Sequence, residues 1–312
     1  MLQTTFQRVR SLYDPLANAT LPLLNGLTRR RLLRTGAQER EVRLDGVSLS
    51  YYVRGPRGGA VGRTPILLVH GLADSALTWA FVIGPLARDR AVYAVDLPGY
   101  GGSGLPPGQP YATLDQMCGL LTRFLREVVG APALVVGNSM GGWLAIKLAR
   151  AAEELVRGIV LLDAGGAPLQ GRASWEPFRE AISVPDLKAT RRVMRQMFGA
   201  AALPLLVPLG QHGVQSLFQR QVVREFVAVV QEDEFLTPDD LRGLRVPTGL
   251  IWGLSDHFLP EGSLEFFREH LPHPQTLLMR HCGHLPQRER PIEVIRFLRA
   301  FAARLETMMT HW

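Results

Sequence analysis

From residue 40 onward, apolar positions follow two alternating rhythms. One is the short unbroken run: Pro65-Ile-Leu-Leu-Val-His70, Ala91-Val-Tyr-Ala-Val-Asp96, the stretch ending at Val135-Val136, Gly158-Ile-Val-Leu-Leu-Asp163, Thr248-Gly-Leu-Ile-Trp-Gly253 and Thr276-Leu-Leu-Met-Arg280. Runs of this length, apolar on consecutive residues, predict strands buried on both faces. The other rhythm has the helical period. It is carried by Trp79, Val82 and Leu86, by Leu114, Met117, Leu121 and Leu125 within Thr113 to Val129, by Gly262 to His270, and by Ile292, Val294, Ile295, Phe297, Leu298 and Phe301 behind Pro291. Strands alternating with helices predict βαβ units and a mostly parallel central sheet of about eight strands with helices on both faces. Ahead of them, Val42 and Leu44, then Val47, Leu49, Tyr51 and Val53, alternate around Asp45-Gly46, which predicts a hairpin.

The alternation stops at Gly165 and resumes near Arg245. The intervening stretch has apolar helical patches, Val193 to Phe198, Leu203 to Leu209 and Phe226 to Val230, punctuated by Pro177, Pro185, Pro204, Pro208 and Pro238. It is too long for a loop and has no strand pattern, so residues 166–245 are expected to form an inserted helical cap. The core is then residues 39–165 with 246–312. Residues 1–38 differ again. Leu2, Phe6, Val9 and Tyr13 recur at helical spacing, Pro15 and Pro22 interrupt, and Thr28-Arg-Arg-Arg-Leu-Leu-Arg34 follows. This predicts a helical arm that packs on the domain or rests on an anionic membrane surface. The arginine run is not an export signal, because Thr35 to Val42 are polar and charged where an apolar segment is required.

Composition narrows this picture. Hydrophobic residues make up 46% of 312 and charged residues 20%, enough for a real core and against global disorder. The net charge of +7 is spread along the chain apart from the cluster near the N-terminus, without the basic-aromatic concentration of a nucleic-acid binder. Cys118 and Cys282 stand far apart and outside any metal-ligand or CxxC spacing, so no disulfide framework is expected, and reduced thiols fit a cytoplasmic setting.

The candidate chemistry centres on Val135-Val-Gly-Asn-Ser-Met-Gly-Gly142. Here a strand ends, a serine stands between glycines, and a helical pattern begins. This is the G-x-S-x-G of a nucleophile elbow, which needs φ > 0 at the serine and bare glycines where strand and helix crowd it. A serine hydroxyl needs an adjacent base. Asp256 and His284 both follow strands at the same sheet edge, in the chain order Ser…Asp…His. Asp163, ending the preceding strand, is the rival acid. His281 is the rival base, and His257 and His70 are expected to be structural or at the pocket rim. The Gly99 to Gly104 loop has no following lysine and is not a P-loop.

His70-Gly71, Asp96-Leu-Pro-Gly-Tyr-Gly-Gly-Ser103, Gly137-Asn-Ser-Met-Gly141, Gly253-Leu-Ser-Asp256 with Pro260, and Gly283-His284 together resemble the α/β-hydrolase fold family, from about residue 40 to the C-terminus. The first 38 residues match no part of it. The resemblance implies Ser139 as nucleophile, His284 as base and then acid, Asp256 as the carboxylate orienting His284, and an oxyanion hole from the backbone N–H groups of Leu72 and Met140. It implies no metal and no cofactor. Related dehalogenases and epoxide hydrolases carry aspartate at the elbow, so serine points to acyl-enzyme chemistry.

The expected substrate is a small carboxylic ester, of medium acyl chain or monoacylglycerol type. The elbow also resembles that of meta-cleavage-product hydrolases, which cut carbon–carbon bonds, but Gly71-Leu-Ala-Asp-Ser75 departs from their Gly-Pro-Gly-type oxyanion loop. A cofactor-free perhydrolase or acyltransferase would share the same three residues. A non-catalytic scaffold would not need to retain them.

Overall fold

The computed structural model describes residues 21–56, 63–168, 179–180, 182–199, 203–230 and 232–309. Eight strands form one sheet in the order β1-β2-β4-β3-β5-β6-β7-β8. They are β1 (Gln38–Leu44), β2 (Val47–Arg54), β3 (Ile66–Val69), β4 (Val92–Val95), β5 (Ala133–Ser139), β6 (Val156–Ala164), β7 (Thr248–Gly253) and β8 (Gln275–Met279). The β1–β2 hairpin turns at Asp45-Gly46 as expected, and β2 also pairs antiparallel with β4. Every other pairing is parallel.

The unbroken apolar runs are explained by what covers each face. Side chains alternate across a strand. Leu67 and Val69 of β3, Val135 of β5, Leu161 of β6 and Leu250 of β7 therefore share one core, and Ile66, Leu68, Leu134, Val136, Val160, Leu162 and Ile251 share the other. The first core is closed by the helices α2 (Leu114–Phe124) and α3 (Met140–Ala151), through Leu114, Leu121, Leu144 and Leu148. The second is closed by the C-terminal helix through Val294, Leu298 and Phe301, and by Trp79 and Ile83. A helix over residues 21–34, α1, also packs here, with Leu32 fully buried. Burying one such leucine is worth about 1.5–3 kcal/mol.

Three local expectations are refined. Pro22 lies inside α1, as its second described residue. The Trp79–Leu86 stretch is two short turns, Ala76–Trp79 and Ile83–Leu86, with Trp79, Val82 and Leu86 all buried. The helix from Leu114 keeps its apolar stripe but widens into a π turn over Leu125–Val129 and stops at Gly130 in the left-handed region. The stripe Leu2, Phe6, Val9 and Tyr13, with Pro15 and Pro177, lies outside the described residues.

Between β6 and β7 the described residues contain only helices, among them α4 (Leu187–Met197), α5 (Leu203–Phe218) and α6 (Gln221–Val229). Val193, Phe218, Val222, Val223 and Phe226 bury against the same core as α2 and α3. The last turn of α4 is fastened to the site loops. Its Gln196 carbonyl accepts the His257 N–H at 3.0 Å, and its Met197 carbonyl accepts the His284 N–H at 2.6 Å.

Glycine has opposite meanings at two positions. A Cβ on Gly141 would lie 2.2 Å from the Val69 carbonyl oxygen, whereas one on Gly119, in α2, meets nothing. Gly141→Ala is expected to cost about 3 kcal/mol or more, and Gly119→Ala to gain about 0.5–1 kcal/mol, in urea unfolding. Equal midpoints for the two variants would contradict this packing.

Candidate active site

Ser139 ends β5 and opens α3 at φ 55°, ψ −122°. A non-glycine residue in that region carries strain on the order of 1–3 kcal/mol, which the packing around it must hold. The bare glycines provide the space. A Cβ on Gly137 would fall 2.0 Å from the Gly141 carbonyl oxygen, and one on Gly71 would fall 2.8 Å from the Ser139 Cβ. The chain after β3 therefore lies flush against the serine, which brings Leu72 and Met140 to the same cavity wall as Ser139.

Asp256 and His284 come from the turns after β7 and β8. Their side chains are fully buried, and His284 Nδ1 donates to Asp256 Oδ2 at 2.7 Å. The other Asp256 oxygen, Oδ1, accepts the Phe258 N–H at 2.8 Å and the Leu259 N–H at 3.2 Å. With Nδ1 carrying the hydrogen, Nε2 is the basic nitrogen. Ser139 and His284 line one cavity. No hydrogen bond of 3.5 Å or less joins them among the described residues, and in the free state of such pairs this contact is often loose.

The rival residues fall elsewhere. His281 and His257 are exposed. His70 is fully buried: its Nε2 accepts the Leu97 N–H at 3.0 Å and its Nδ1 donates to the Gly71 carbonyl at 2.7 Å. It fixes the loop behind the serine and lines neither cavity there. The glycine loop has a structural occupant too. Asp96 accepts the N–H groups of Ala76 and Gly102, and a Cβ on Gly101 would strike its carboxylate.

Four contributors escape a motif reading. Asn138, beside the serine, donates Nδ2 to the Leu162 carbonyl at 3.1 Å and to the His284 carbonyl at 3.0 Å. Its Oδ1 accepts from Gln287, which also reaches Thr78. Glu289 receives the N–H groups of Gly199 and Gly283, tying the chain after α4 to the histidine loop. Phe258 packs its ring 4.8 Å from the His284 ring. Each acts through burial and distant pairing; the only sequence hint is a polar residue inside an otherwise apolar strand, at Asn138.

Asp163 is present as well. It ends β6 at φ 39°, fully buried, with Oδ1 accepting the Gly253 N–H at 3.0 Å. Asp163, Asp256 and His284 offer atoms within 4.8 Å of one another. Burial first, then the Asp256 carboxylate, pushes the Asp163 carboxyl well above the usual carboxylate range. Asp163 Oδ2 is buried with no hydrogen-bond partner among the described residues.

The alpha/beta hydrolase family model matches residues 66–297. An acetyltransferase component of the acetoin cleaving system from Cupriavidus necator is 38% identical over 161 residues, 51% of this chain; the match spans only 40% of that protein's length. A pimeloyl-[acyl-carrier protein] methyl ester esterase from Nitrosomonas europaea is 28% identical over 232 residues, 71% of this chain and 88% of that one. Among solved structures, a bacterial membrane phospholipase A superposes with a TM-score of 0.72 at 23% identity, covering 98% of this chain and 99% of its own.

The buried proton has a measurable consequence. Below about pH 4 Asp163 is protonated in both folded and unfolded chains and contributes nothing. As pH rises, the unfolded chain ionises first, so wild-type stability falls until the folded carboxyl ionises as well. Asp163→Asn, which keeps the acceptor for Gly253 and a donor toward Asp256, removes this term. Its urea stability relative to wild type is expected to rise between pH 5 and pH 8; a constant difference would place a charged carboxylate there instead.

Proposed function

The chain belongs to the alpha/beta hydrolase family, and within it we propose that this member is a serine hydrolase of carboxylic esters acting through an acyl-serine intermediate. The observation that carries the reading is the buried 2.7 Å bond from His284 Nδ1 to Asp256 Oδ2, which leaves the basic Nε2 in the cavity that Ser139 lines. Ser139 Oγ attacks the ester carbonyl while His284 Nε2 takes its proton. Asp256 holds the ring in the correct tautomer and stabilises the imidazolium. The Leu72 and Met140 N–H groups, the latter at the N-terminus of the twelve-residue α3, receive the oxyanion. His284 then protonates the departing alkoxide. Water, activated by the same imidazole, attacks the acyl-serine and releases the acid.

Two small cavities meet at the serine, each about 70 Å³. Leu72 lines both; one also holds Met140 but not His284, and the other holds His284, with Met197, Val214 and Leu217. Because His284 must reach the leaving oxygen, the second cavity takes the alcohol and the first the acyl chain. The acyl side is lined by Ile182, Phe226, Val227 and Phe258 among others, which favours an alkyl group over a charged one. In this reading residues 166–245 act as a cap supplying walls to both cavities. Ser139→Ala is expected to lower kcat on a p-nitrophenyl ester by on the order of 10⁴–10⁶ with the fold intact. More than about a tenth of wild-type turnover would defeat the assignment. Turnover of a dienone in place of every ester would favour the carbon–carbon hydrolase instead.

The α1 face supports a peripheral membrane role. At 3.6 residues per turn, Leu23, Leu24, Leu27, Arg30, Arg31 and Arg34 fall on one side and the buried Leu32 on the other. Those three leucines are 63%, 46% and 52% exposed, and Arg31 lies over the exposed Phe81 ring at 4.9 Å. Exposed leucines beside arginines suit an anionic lipid surface. No helix among the described residues is long and apolar enough to cross a membrane. In a vesicle co-sedimentation assay the double variant Leu23→Glu, Leu27→Glu is expected to lose at least about tenfold in affinity for anionic vesicles, with soluble-ester turnover unchanged. Equal binding of both proteins, or none by the wild type, would remove this role.

A further inference from the structure

On one side the acyl-side cavity is bounded by Trp143 and Phe235. Beyond it lies a second, much wider cavity of about 580 Å³, whose walls include Asp115, Lys147, Arg150 and Asp240. Among the described residues, two line both: Trp143 and Phe235. Their rings stack with centroids 5.2 Å apart and planes 19° from parallel.

This partition is held from three sides. Trp143 stands four residues after Ser139, one turn along α3, about 6 Å down the helix axis. Gly166, at φ +93°, lies flat against the indole: a Cβ there would be 2.7 Å from the ring. The Gly166 carbonyl in turn accepts the Leu236 N–H at 2.8 Å, which ties the segment bearing Phe235 to the strand end beside the serine. The indole is therefore sandwiched between a backbone that cannot bear a side chain and an aromatic ring tethered to that same backbone. The far cavity is polar: Lys147 pairs with Asp115 at 2.9 Å and Arg150 with Asp240 at 3.2 Å, and Asp233 and Glu234 add two further carboxylates to its lining.

We propose that the stacked Trp143–Phe235 pair is the end wall of the acyl site and sets the longest acyl chain this protein accepts. The inference rests on Ser139 being the nucleophile and on the acyl group lying on the side away from His284. Small esters fill the cavity up to the indole. Longer chains collide with a wall braced from behind, and each methylene that does not fit forfeits its burial. Removing either ring joins the tight apolar cavity to the wide one, and a longer chain threads through. The specificity is thus for short to medium alkanoyl esters, limited by two rings and not by the cap as a whole.

The test is a p-nitrophenyl ester series from acetate to palmitate, measured as kcat/KM for wild type, Trp143→Ala, Phe235→Ala and Trp143→Phe. In wild type, kcat/KM is expected to peak at a short or medium chain and to fall steeply after it. In both alanine variants the peak moves to longer chains, with the long-to-short ratio raised on the order of tenfold or more. Trp143→Phe, which keeps a ring in place, retains the wild-type profile. Phe235→Ala lies outside the sheet-packed helix and reports independently should Trp143→Ala not fold. An active wild type with an unshifted peak in the folded alanine variants overturns the wall alone. A wild type that hydrolyses no ester overturns the serine-hydrolase reading, and the wall with it.

Discussion

A single buried hydrogen bond, from the imidazole of His284 to the carboxylate of Asp256, gives the rest of this molecule its purpose. It joins the turns after two adjacent parallel strands, and it needs both partners out of water. A buried charge is tolerated only when it is paired and hydrogen-bonded. Here the carboxylate has the imidazole N–H and two backbone N–H groups around it, beside an Asp163 carboxyl that burial pushes well above the usual carboxylate range. The sheet supplies the geometry. Parallel strands bring their carboxyl ends to one edge, and β5, next to β6, delivers the serine to that edge on a strained turn.

How the surroundings hold that bond also explains how the helical segment relates to the site. The His284 backbone is fixed twice, by Met197 at the end of α4 and by Asn138 beside the serine. Glu289 braces the same loop against the chain following α4. The helices between β6 and β7 are therefore wired into the histidine loop as well as covering it. A displacement of α4 would pull directly on the His284 backbone, so cavity shape and imidazole position are one mechanical problem.

Much of this was legible in the sequence, for reasons that can be named. A strand covered on both faces must be apolar at every position, and β3 to β7 stand out on that account alone. The elbow is legible because its crowding forbids side chains at Gly137 and Gly141, which leaves glycines on both sides of the serine between strand and helix. Asp256 and His284 follow strand runs, which is why the sequence alone puts both at one sheet edge. What sequence does not carry is pairing between distant residues. Nothing in the run around Asn138 indicates that its amide spans 146 positions to the His284 carbonyl, nor that Phe235 meets Trp143 across the cavity end.

The account stands or falls on Ser139 being a nucleophile activated by His284. The most direct measurement is the intact mass and peptide map of the protein after exposure to a fluorophosphonate. A single phosphonyl group on Ser139, absent in Ser139→Ala and formed far more slowly in His284→Ala, is the predicted result. Unmodified protein under conditions that label a control serine esterase, or an adduct on another residue, would contradict it.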